Sequence, residues 1–175
     1  MQIRRLVLVV GAMLSLAGVS RAEQVANPAF ENWKKFEAGS TSTMSMTIEA
    51  GGQKMKSETV NKLASKADDV ITVEVTGTME VLGQKQTIPT QTQKVAAKVE
   101  KDDAPTQVGE STEKVEAAGK TFDCKVYELA KKQANGQTVK AKMWMNDDVP
   151  GGIVKMEAKS EQANVTGVLT SFEKK

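Results

Sequence analysis

The sequence predicts a mainly β protein. It reads as a curved antiparallel sheet, a half-barrel or open barrel of about eight or nine strands, with a short N-terminal helix covering the concave face. Three observations carry this. From Thr41 onward apolar and polar residues alternate with period two, the mark of half-buried strands. Glycine-containing pairs punctuate that alternation at hairpin spacing. No later stretch keeps a helical period long enough to link parallel strands, so the pairing is expected to be antiparallel. Alternation of this kind covers one side of a sheet and leaves the other to water. Accumulated twist then curls so long a meander.

The first residues stand apart from this domain. Met1–Ala22 has a basic start at Arg4 and Arg5 and an apolar run from Leu6 to Val19. Ser20-Arg21-Ala22 then places small residues three and one before a cleavage point. This is the pattern of a secretory signal peptide cleaved after Ala22; its apolar core is short for an uncleaved membrane anchor. Leu16-Ala17-Gly18 approaches a bacterial lipoprotein signal, but Val19 stands where the lipid-bearing cysteine would follow. The expectation is a periplasmic or secreted protein, not an integral membrane protein, with one β domain over residues 23–175.

All three arginines lie in the signal segment, which leaves 21 lysines against 22 acids and a net charge of −1. Without arginine, the usual residue for bidentate phosphate and base recognition, nucleic acid is not an expected partner. The single cysteine cannot form an internal disulfide, so the domain must stand on its core. Aromatic residues make up only 4% of the chain, so that core must rely on aliphatic residues and methionine.

Asn27-Pro28 opens the helix, with asparagine as N-cap and proline where a missing N–H costs nothing. Phe30, Trp33 and Phe36 follow at helical spacing, and Ala38-Gly39 is the expected C-terminal stop. Met44, Met46, Ile48 and Ala50 then alternate with polar residues, and Gly51-Gly52 makes a two-residue turn. Lys54–Leu63 returns as a more polar strand in which Met55 is the clearest apolar residue. After Ala67-Asp68-Asp69, a long strand places Ile71, Val73, Val75, Met79 and Val81 on one face, with Gly77 marking a bend or a close backbone approach. Gly83-Gln84 turns into Thr87–Val99, where Pro89 requires an edge position or a bulge. A charged loop over Glu100–Pro105 precedes a strand at Gly109–Glu116 and a turn at Ala117–Lys120. Phe122, Cys124 and Val126 point one way along the next strand. Asn135-Gly136 is a strong hairpin signal. The return strand places Val139, Ala141, Met143 and Met145 on one face and Lys140, Lys142 and Trp144 on the other, where Trp144 packs on lysine stems or a neighbouring element. A polar corner at Asn146–Gly152 leads to Val154, Met156 and Ala158, and a last turn near Gln162–Asn164 to a strand over Val165–Phe172.

The chain has no histidine, which removes Ser-His-Asp and Cys-His nucleophile systems and most zinc sites. No catalytic residue, metal site or cofactor is expected, and the protein is read as not an enzyme. Cys124 is a reactive thiol or a small buried hydrophobe, and its apolar strand favours the second. Cys124 with nearby methionines could suit Cu(I), but methionine at alternate positions is more often core filling. Asp68-Asp69, Asp102-Asp103 and Asn146-Asp147-Asp148 lack the spacing of a calcium loop. The glycine doublets precede no helix and are turns, not phosphate cradles.

What remains is the concave face. Trp33, Phe36, Met44, Met46, Ile48, Val73, Val75, Met79, Met143, Met145 and Met156 are the candidate ligand-binding residues, with Val126 and Val154 on the same expected inner face as Phe122 and Cys124. Methionine is flexible and recurs where varied apolar partners bind. An open, methionine-lined cavity of a few hundred cubic ångströms would hold an apolar small molecule or lipid such as an acyl chain. The competing reading is a closed core in an envelope protein that works by protein contact, through the strand edge at Thr87–Val99.

The order of signal, short aromatic helix and antiparallel meander resembles the LolA/LolB-like superfamily of periplasmic lipoprotein-carrier half-barrels. The segment Gly119–Cys124, followed by Trp144 and Val149–Lys155, is similar to a pattern in secreted bacterial proteins of that shape. The resemblance implies an apolar concave face that takes acyl chains. One prediction needs only the sequence: N-terminal sequencing of the exported product should begin at Glu23 with Glu-Gln-Val-Ala-Asn. A product retaining Met1–Ala22 would show an uncleaved anchor.

Overall fold

The computed structural model describes residues 23–81, 83–101, 106–132 and 138–175. The expected signal peptide and its cleavage point, Asp102-Asp103 and the Asn135-Gly136 turn lie outside them. The elements run β1 (Gln24–Ala26), α1 (Pro28–Trp33), β2 (Thr41–Ala50), β3 (Gln53–Lys66), β4 (Val70–Val81), β5 (Gln84–Ala96), β6 (Lys98–Glu100), β7 (Thr106–Ala117), β8 (Lys120–Lys132), β9 (Thr138–Met145), β10 (Ile153–Lys159) and β11 (Ala163–Glu173). Nine strands form one antiparallel sheet in the order β5-β4-β3-β2-β11-β10-β9-β8-β7, not closed into a barrel. The expected fold class is therefore present. Two meanders, β2–β5 and β7–β11, are sewn together where β11 pairs with β2 from Ala163↔Ala50 to Glu173↔Thr41.

Local chemistry explains the turns. Gly51 and Gly52 both have positive φ, at +58° and +75°, which matches the right-handed twist of the flanking strands. Ala118 and Gly119 repeat the arrangement at +49° and +70°, and Ala117 pairs directly with Lys120. Gly77 marks a close approach, as its position predicts: a Cβ there would lie 2.1 Å from the Glu58 carbonyl oxygen. The β4–β5 register shifts at this point, and Pro89 falls in that shift on an edge strand, where no ladder donor is needed.

The helix starts where expected and ends early. The Asn27 side-chain oxygen accepts from the Ala29 N–H at 3.1 Å, and its amide donates to the Ala96 carbonyl at 2.8 Å. One N-cap residue thus fixes both the first turn and its place against β5. The helix stops at Trp33 rather than at Ala38-Gly39, because β3 captures the backbone just beyond it. Gly39 N–H donates to the Leu63 carbonyl, and Leu63 N–H donates to the Ser40 carbonyl. Phe36 lies past the helix but is still buried. The chain before α1 also forms something the alternation does not announce: β1 pairs with β6 in a separate two-stranded ribbon.

Curvature follows from what α1 touches. Phe30, Trp33 and Phe36 pack with Leu63, Ile71, Val73 and Val95, on the β3–β4–β5 side. The same helix lies against the corner between β9 and β10, where a Cβ on Gly151 would meet the Trp33 ring at 2.8 Å. In a flat sheet, β4 and β10 would be four strand spacings apart, about 19 Å. A six-residue helix is only about 9 Å long, so the sheet bends around it. The other half rolls as well. Ala118 N–H donates to the Leu169 carbonyl at 3.1 Å, and the Phe122 and Phe172 rings lie 6.0 Å apart, although β9 and β10 separate β8 from β11 in the sheet. A second cluster fills this roll with Met44, Phe122, Cys124, Val126, Trp144, Val149, Val154 and Leu169. The helix therefore caps one end of the curved sheet and leaves the rest of that face uncovered.

The corner glycines carry a prediction. A Cβ on Gly152 would sit 2.2 Å from the Asn32 amide nitrogen, and both glycines have positive φ. Gly151→Ala and Gly152→Ala should each destabilise by about 1–3 kcal/mol in urea unfolding. Gly51→Ala shares the positive φ but meets nothing within 4 Å, so its cost should be smaller, near 1 kcal/mol.

Candidate functional site

The register puts all seven methionines of the described residues on one face of the sheet. Met143 pairs with Met156, Met156 with Gly167, Gly167 with Met46, Met46 with Ser57, and Ser57 with Met79. These residues form a continuous row across six strands, extended by Tyr127 on β8 and Gln86 on β5. Met44, Met55 and Met145 sit in the rows to either side on the same face. The helix packs on this face too, since Leu63 and Val73 continue the same alternation toward it.

The candidate residues divide into two sets. Trp33, Phe36, Met44 and Val73 are buried within the two packed clusters and line no opening. Met46, Ile48, Val75, Met79, Met143, Met145 and Met156 are half-buried; Val75 packs against the helix cluster, and Met46 and Met156 against the second cluster. Two surface depressions of a few hundred cubic ångströms are present, and neither is lined by methionine. One, of about 550 Å³, lies among Glu58, Val60, Thr76, Thr78, Thr87 and Pro89. The other, about 390 Å³, lies between the Gly51-Gly52 and Glu161-Gln162 turns. The reason is local: at the centre of the row, Gly167 has no side chain, and Met46, Met156 and Met44 lean into that space. A Cβ there would meet them at 3.3, 2.9 and 3.4 Å. The thioether side chains fill their own groove.

The expected inner face is present in part: Phe122, Cys124, Val126 and Val154 share one buried cluster with Met44, and Met156 packs against it. Met143 and Met145 do not share their row, because Val126 pairs with Trp144 and Tyr127 with Met143. A one-residue difference in register exchanges the faces of a whole strand, and the alternation within β8 does not set its phase against β9. Trp144 is buried in the second cluster, with two lysines over its ring. The Lys155 and Lys142 ammonium groups lie 4.3 and 4.8 Å from its ring centroid. Its indole N–H donates to the Glu113 carboxylate at 2.7 Å, and Lys142 donates to the same carboxylate at 2.9 Å. Those two hydrogen bonds hold the Glu113 carboxyl below the ordinary glutamate range, and Glu113 in turn raises Lys142. These charges satisfy each other over Trp144.

Sequence reasoning missed the inward side of β3. Between Met55 and Leu63 it presents Ser57, Thr59 and Asn61 to the methionine face, while Lys54, Lys56, Glu58 and Lys62 face the other way. Ser57 and Thr59 are 6% and 8% exposed, and neither hydroxyl has a hydrogen-bond partner within the protein. The signal was present as alternation, broken only at Val60, of charged with small uncharged polar residues from Lys56 to Lys62. Among the described residues no trio of His, Cys, Asp or Glu is placed to hold a metal ion, and no helix is long and apolar enough to cross a membrane.

No protein-family model and no curated protein matches the sequence. A solved structure from Bacteroides fragilis, described as a suspected exported protein with YmcC-like fold, aligns with a TM-score of 0.46 and 11% identity over 79% of this chain and 97% of its own. A DUF1329 family protein from Desulfovibrio piger aligns with a TM-score of 0.30 and 12% identity over 83% and 91%.

Two solution tests follow. Because the folded-state pKa of Glu113 is depressed, its contact with Trp144 is complete above the ordinary glutamate pKa and is lost as pH falls through the lower folded value. Trp144 fluorescence should change across that acidic window, and Glu113→Gln should remove the transition. Cys124 is 1% exposed, and burial pushes its thiol pKa up. The native protein should resist thiol reagents at pH 8, and unfolding should release one reactive thiol.

Proposed function

We propose that this protein is a non-catalytic, exported module that binds an extended apolar chain, such as an acyl chain, along its methionine face. One observation carries the reading: seven methionines gather on one face, and five of them stay half-buried beyond the helix. A face meant only as core would be expected to close over them. Methionine side chains are unbranched and polarizable, so those over Gly167 can swing aside and re-pack around a guest. The solid clusters at the helix end hold the sheet's curvature while the other end adapts. The signal segment supports export, and the LolA/LolB-like resemblance points to the same ligand class by analogy of shape.

Contact with another protein by strand addition is the second reading. The β5 edge offers a long exposed strand, but Pro89 and the register shift beside it interrupt its donors, and Lys85 and Lys94 flank the break. That edge is blunted, which favours the face.

Titration with an environment-sensitive apolar dye should give saturable binding, displaced by long-chain lipids. Met143→Gln and Met156→Gln should each weaken it about tenfold. Thr47→Gln, on the opposite face, should leave it unchanged. Absence of saturable binding in the folded protein would overturn the reading.

A further inference from the structure

The methionine row has polar residues at its ends, Tyr127 on β8 and Gln86 on β5, but at its centre the polar side chains come from β3, and they define the kind of molecule it takes. Ser57 lies in the methionine row between Met46 and Met79, and Thr59 lies in the next row between Met44 and Gly77. Both hydroxyls are more than nine-tenths buried and unpartnered. Burying a hydroxyl without a hydrogen bond is costly, and two such groups side by side on one strand are unusual. The residue facing Thr59 is Gly77, so no side chain from β4 covers it. Resting on the chain-binding reading above, we infer that the guest is an uncharged amphiphile whose polar head hydrogen-bonds Ser57 and Thr59 while its chain lies along the methionines.

The head must be neutral. On this face the rows around the two hydroxyls hold Met44, Met46, Met55, Asn61, Val75 and Met79, with no cation. Lys54, Lys56 and Lys62 of the same strand point to the other side. An ionised carboxylate or phosphate placed here would lose its water with no counter-ion to replace it. An ester carbonyl or alcohol loses far less and supplies the missing partners. Residues i and i+2 of a strand are about 7 Å apart, so the head should offer two hydrogen-bonding groups separated along its length, as a glycerol monoester does.

The test compares three ligands of equal chain length by dye displacement at pH 8: monoolein, oleate and 1-octadecene. Monoolein should bind at least about tenfold tighter than either of the others. Ser57→Ala and Thr59→Val should each cost about fivefold in monoolein affinity and nothing in octadecene affinity. Both variants remove unpartnered polar atoms, so their thermal midpoints should equal or exceed that of the parent chain. A lowered midpoint would show that the hydroxyls already have partners and would overturn the inference. So would equal or tighter binding of oleate, or monoolein affinity indifferent to both substitutions, while the chain-binding face itself would stand. If none of the three ligands displaces the dye, the reading on which the inference rests falls with it.

Discussion

The contact between a six-residue helix and two glycines sets the shape of this protein. Trp33 and Asn32 lie where side chains on Gly151 and Gly152 would have to be. The Trp33 ring also belongs to the cluster on β3, β4 and β5. A helix that touches both halves of a nine-stranded sheet holds their separation fixed. The bend is thus not left to strand twist alone; it is pinned where the sheet would otherwise be free to open. Asn27 anchors the helix to β5 on one side, and Lys35 pairs with Asp147 of the corner at 2.7 Å on the other. That ion pair is exposed and contributes little; the steric fit at the glycines carries the constraint.

Around that fixed end the sheet has two regimes. Toward the helix, aromatic and branched aliphatic residues are close-packed, and Leu63, Ile71, Val126, Val149 and Val154 have no exposure. Away from it, Met46, Met79, Met143 and Met156 are half-buried, and Met46 and Met156 lean over a glycine. Branched residues commit to few rotamers, whereas methionine has three soft torsions, so the two ends differ in rigidity for a chemical reason. Over Trp144 of the second cluster, the Glu113 and Lys142 charges neutralise one another. Polarity there is satisfied; on the inward side of β3 it is not.

Much of the fold was legible from particular residues. Gly51-Gly52 announced its hairpin, Gly77 its close approach and Pro89 its edge strand, because each needs a backbone state that few other residues allow. The helix length was not legible. Phe36 kept the helical spacing, but hydrogen bonds from β3 took the backbone at Gly39 and Ser40 first. The ribbon of β1 with β6 was also hidden, since three-residue strands carry too little periodicity. In the candidate site, the methionines were identified by alternation, while Ser57 and Thr59 were passed over because polar residues in a strand read as its wet side.

Periodicity and turn chemistry determine, from the sequence alone, that this chain makes antiparallel strands with one apolar side, and that methionine dominates that side. They act within a few residues of each other and need no distant partner. Which apolar side meets which is a long-range matter. The phase of β8 against β9, the meeting of β2 with β11 and the seating of α1 on Gly151 depend on contacts between residues far apart in the chain. Those contacts placed Val126 with Trp144 rather than Met143, filled the groove over Gly167, and turned two ordinary hydroxyls on β3 into the only unpartnered pair on an apolar face among the described residues.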